Sequence, residues 1–65
     1  MSSQRFDIEI EDFGQQHRGT YTVNQGVVTV EYGGRTKSTQ VGGSPPATLA
    51  RVLLGELVVE AQKAH

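Results

Sequence analysis

The sequence predicts an α+β fold: a four-stranded antiparallel meander, or three strands plus a mobile arm over residues 35–41, with one C-terminal helix packed on one face. Three observations carry this. Every Leu of the chain, at positions 49, 53, 54 and 57, lies in one C-terminal stretch behind Ser44-Pro45-Pro46. Phe6-Asp7-Ile8-Glu9-Ile10-Glu11 alternates apolar and acidic residues strictly. Asn24-Gln25-Gly26 and Gly33-Gly34 then punctuate runs rich in Val, Thr and Tyr, as turns punctuate strands.

The alternation over residues 6–11 is that of a half-buried strand, with Phe6, Ile8 and Ile10 facing in and Asp7, Glu9 and Glu11 facing water. Asp12 to His17 breaks the alternation and reads as a loop, with Phe13 folding back over the edge of the core. Gly19 to Val23 resumes a strand. An even-numbered turn at Gln25-Gly26 sets Val23 opposite Val28, Tyr21 opposite Val30 and Thr22 opposite Thr29, so apolar residues meet apolar ones. A three-residue turn would carry one strand's apolar set to the wrong face.

Arg35 to Val41 has β-propensity but no apolar face. A three-residue Tyr32-Gly33-Gly34 loop would pair Glu31 with Arg35 and set Lys37 opposite Thr29, on the open face. A two-residue turn would bring Arg35 and Lys37 to the core side, where burying charge is costly. The first register is therefore expected.

Ser44 serves as N-cap for the helix, and the two prolines fit its first turn, where a missing N–H costs little. At about 100° per residue, Leu49, Ala50, Leu53, Leu54, Leu57, Val58, Ala61 and Ala64 gather on one side. Val52 and Val59 depart from the pattern, falling on the polar side with Glu56 and Lys63. The expected core is Phe6, Ile8, Ile10, Tyr21, Val23, Val28, Val30, Leu49, Leu53, Leu57 and Ala61.

Residues 1–65 form one small domain, a size at which folding removes only about 60% of the unfolded surface from water. With no Cys, neither a disulfide nor a thiolate zinc site is available, and self-association is the remaining common source of stability. A net charge of -1 carries no polyanion-binding signal. No apolar run approaches the ~20 residues of a membrane span. The start, Met-Ser-Ser-Gln-Arg, leads straight into a charged strand without an apolar leader. A native start and a cytoplasmic protein are expected.

No catalytic constellation is present. The acidic residues of the first strand lie on a solvated face at strand spacing. His17 reads as an exposed loop residue, and His65 ends the chain. Gly42-Gly43-Ser44 ahead of a helix resembles an anion-binding start, but two prolines remove donors there and no Walker-type Lys follows.

The expected function is a small non-enzymatic protein-interaction module that self-associates, as a homodimer, or binds another protein. It would use Val52 and Val59 on the helix, or Thr22 and Thr29 on the open sheet face. The alternative is weak nucleic-acid binding by a basic hairpin, Arg35 and Lys37 with Arg18 nearby, against which the acidic first strand on the same face counts. No cofactor, metal, small molecule or membrane partner is indicated.

Overall fold

The computed structural model describes residues 4–12 and 14–63. Four strands follow in order, β1 (Arg5–Asp12), β2 (Gln15–Asn24), β3 (Val27–Tyr32) and β4 (Arg35–Gln40), and then α1 (Pro46–Lys63). The sheet order is β1-β2-β3-β4, antiparallel throughout, with the helix packed on one face. The β2–β3 register is the expected one, with Val23 opposite Val28 and Tyr21 opposite Val30. Its turn is Gln25-Gly26, both at positive φ (52° and 75°). That is the left-handed pair of a type I′ turn, whose twist matches the strands it joins.

Two expectations fail at the other hairpins. Residues 12–17 do not form a loop. β1 runs on to Asp12, which pairs with Gln15, so Gln15 to Arg18 belong to β2. The placements expected for Phe13 and Ala64 lie outside the described residues, as does His65. At the β3–β4 hairpin, Tyr32 pairs with Arg35 and Val30 with Lys37, the register rejected on charge grounds. Gly33 and Gly34 both take positive φ (57° and 82°), so two residues complete the turn. Arg35, Lys37 and Thr39 therefore share the helix-facing side with Tyr32, Val30 and Val28. Thr36 and Ser38 face the other way, and Ser38 Oγ lies 2.8 Å from Thr29 Oγ1. The anticipated charge burial is avoided because β4 is an edge strand. Lys37 keeps a third of its side chain exposed and meets Glu56 and Glu60 of α1. Residues 35–40 are thus a paired strand, and Val41 N–H extends the ladder to the Gly26 carbonyl at 2.8 Å.

The helix begins one residue later than Ser44 as N-cap implies. The Pro45 carbonyl accepts from Thr48 and Leu49 N–H, which puts Pro46 at the first helical position, where its fixed φ fits and its missing N–H costs nothing. Ser44 N–H donates instead to the Val41 carbonyl across the Gly42-Gly43 turn.

Ile8, Val28, Val30, Ala50, Leu53, Leu54, Leu57 and Val58 are buried. Ile10, Tyr21, Val23, Tyr32 and Leu49 pack around them. Fully burying one such aliphatic side chain contributes roughly 1.5–3 kcal/mol, so this short row supplies most of the cohesion. Ala50, Leu54 and Val58 belong to the centre of the core rather than its margin, while Ala61 is only half-buried. Phe6 is a second correction to the expected core. It is 42% exposed, because it lies near the start of edge strand β1 and its ring rests on Tyr21, centroids 5.2 Å apart, rather than under the helix.

Candidate functional site

The open face of the sheet closes on itself electrostatically. Arg18 faces Glu9 directly across the β1–β2 ladder and meets it at 3.3 Å. Arg5 reaches past β2 to Glu31 at 3.8 Å. Thr22 and Thr29, expected as partner contacts, do pair with each other, and both are half-buried between these charged pairs. The concavity beside them is only about 40 Å³. Exposed pairs of this kind contribute little energy, but they set charged groups on either side of the two threonines.

The helix side differs. A shallow groove of about 510 Å³ runs along the outward side of α1, with Val52, Gly55 and Val59 along it. One turn apart on the helix, these three positions share a stripe. Asp12 of β1 and Lys37 of β4 also line the groove, as do Glu56, Glu60 and Lys63. Val52 is 54% exposed and Val59 half-buried, so the two positions expected to form a seam do lie in one groove. Hydrogen bonding to Glu60 first, and to Glu56 second, raises the Lys37 pKa above its ordinary value. The same bond from Lys37 lowers the Glu60 carboxyl below the usual carboxylate value.

The three cations of the nucleic-acid alternative do not come together. Arg18 and Arg35 line a cleft of about 400 Å³ beside the Gly33-Gly34 turn. Lys37 belongs to the helix groove and is held there by two carboxylates.

His17 is the residue that sequence reasoning misplaced most. It is buried, at 9% exposure, its ring meets Tyr32 edge-on, and Nδ1 lies 2.9 Å from the Tyr32 hydroxyl. Its Nε2 is buried without a hydrogen-bond partner among the described residues. Strand parity was the available signal: counting back by twos from Tyr21 through Gly19 places His17 on the helix-facing side. The polar run Gln15-Gln16-His17-Arg18 obscured it. Among the described residues no three His, Cys, Asp or Glu side chains converge to hold a metal ion. No described helix is long and apolar enough to cross a membrane.

No protein-family model matches the chain, and neither does any curated protein or solved structure. The candidate site therefore stands on its geometry.

Proposed function

We propose that this chain is a small non-enzymatic interaction module that self-associates through the outward side of α1. Gly55 is the observation that carries this reading. A glycine inside a helix costs roughly 0.8–1 kcal/mol relative to alanine, so its presence calls for a reason. The fold does not supply one. A Cβ at this position would stand 3.9 Å from Ile10 Cδ1, an ordinary contact. Toward the groove, between Val52 and Val59, the bare backbone lets another surface approach closely. A second copy of the chain presents the same stripe, and a two-fold axis would set the two stripes against each other.

The alternative, nucleic-acid binding, has its cations divided: Arg18 lies on the open face, engaged with Glu9, and Arg35 on the helix-facing side of β4. Too few cations remain for an extended phosphate footprint.

Sedimentation equilibrium over a wide concentration range tests the proposal. The wild-type chain should dimerise and Val52→Asp, at an exposed position, should remain monomeric and folded. A wild-type chain that stays monomeric at millimolar concentration ends the self-association reading. Backbone amide shifts at Arg18 and Arg35 on adding mixed-sequence DNA at low salt would instead favour the alternative.

A further inference from the structure

β2 is ten residues long and β3 six. They pair from Thr20↔Glu31 to Asn24↔Val27, so the first half of β2 continues with β1 as its one partner strand among the described residues. A two-residue turn makes its flanking residues a hydrogen-bonded pair, here Asn24 and Val27. Counting by twos along β2, the N–H and C=O groups of Asn24, Thr22 and Thr20 point at β3. Those of Arg18 point the same way, into a space that no strand among the described residues occupies. Gly19 stands at the point of departure. A Cβ there would lie 2.7 Å from the Glu31 carbonyl oxygen and 3.1 Å from Leu54 Cδ1, so no side chain can stand at that point.

The resulting cleft holds about 400 Å³, within the ~300–1,000 Å³ usual for ligand sites. Arg18 of β2 and Arg35 at the start of β4 line it, the first with its side chain on the open face and the second on the helix-facing side, with the side-chain-free Gly33-Gly34 turn between. Arg18 shares its charge with Glu9 and Glu31 is met by Arg5. Arg35 has no ion pair within 4 Å among the described residues; its charge acts at longer range on Glu60 of α1, and no carboxylate among the described residues pairs with its guanidinium.

We propose that this cleft, between the unpaired backbone of Arg18 and the guanidinium of Arg35, binds a short extended peptide bearing a carboxylate. The peptide backbone adds to the free edge of β2, as in other strand-addition complexes, and its carboxylate takes the planar fork of Arg35. The site shares no lining residue with the α1 groove and does not depend on self-association.

Amide-shift titrations of the isotope-labelled full chain test this with three probes: acetyl-Val-Thr-Glu with a free C-terminus, acetyl-Val-Thr-Gln-amide, and sodium acetate. The acidic peptide should shift the amides of Arg18, Gly33 and Gly34, and the neutral peptide should bind about tenfold more weakly. Arg35→Gln should weaken the acidic peptide by a similar factor, and Arg51→Gln, on the helix, should not. Three results overturn the proposal: no shift with millimolar acidic peptide, acetate reproducing the peptide's shifts at equal concentration, or shifts confined to the outer edge of β4.

Discussion

Lys37 stands opposite Val30 on the helix-facing side of the sheet, and Glu60 of α1 meets its ammonium there. A charge on the inner side of an edge strand resists the addition of a further strand, because an incoming apolar neighbour would have to desolvate it. The helix carboxylates make that position tolerable within the monomer. One side chain thus ties β4 to α1 and discourages sheet-to-sheet growth.

The pair sets a pH window. Lys37, whose pKa is raised in the folded chain, adds stability that is fully present below its ordinary value of 10.5 and is lost as pH climbs through the higher folded value. Glu60, whose pKa is lowered, adds stability present above its ordinary value of 4.5 and lost as pH drops through the lower folded value. Thermal midpoints should therefore be flat through neutrality and fall at both extremes. Lys37→Met should flatten the alkaline limb, which circular dichroism melts across pH will show. An unchanged alkaline limb in that variant would mean that the contact contributes nothing in solution.

Replacing His17 with Phe should leave stability within about 1 kcal/mol of wild type, since removing a buried polar group whose partner can turn to water is nearly neutral. Tyr32 is half-exposed and can do so. His17→Asp should cost well over 2 kcal/mol, because it buries a carboxylate without a counter-charge. Urea denaturation measures both. A loss above about 2 kcal/mol in the Phe variant would show that Nε2 has a partner in solution.

Gly55→Ala separates fold from association. Helix propensity should stabilise the monomer by roughly 0.5–1 kcal/mol, while the added methyl holds a second molecule off and weakens dimerisation. Unfolding at low concentration and sedimentation at high concentration should move in opposite directions. If both improve, the glycine has no role in the interface.

The strand order, the helix and the β2–β3 register were legible because each rests on periodicity, and periodicity survives as local information. Ile8, Val28 and Val30 could hardly point elsewhere. Lys37 and His17 were not legible. Reading polar residues as outward is sound in isolation. It fails where the inner side of the sheet meets its margin and a distant element supplies the partner, Glu60 for one and Tyr32 for the other. The Val52–Val59 groove was readable from the helix wheel alone. The Arg18–Arg35 cleft was not, because it arises from the unequal lengths of β2 and β3.

The sheet is joined through connections of two residues each, which has a kinetic consequence. Every strand zips onto its predecessor without closing a large loop, and such local topologies fold quickly. Only α1 must reach back across the finished ribbon to touch β1, so its docking is the late event. Leu57→Ala, expected to cost about 2–5 kcal/mol, should then speed unfolding far more than it slows folding. A stopped-flow experiment in which the folding arm absorbs most of the change would place the helix at the beginning instead.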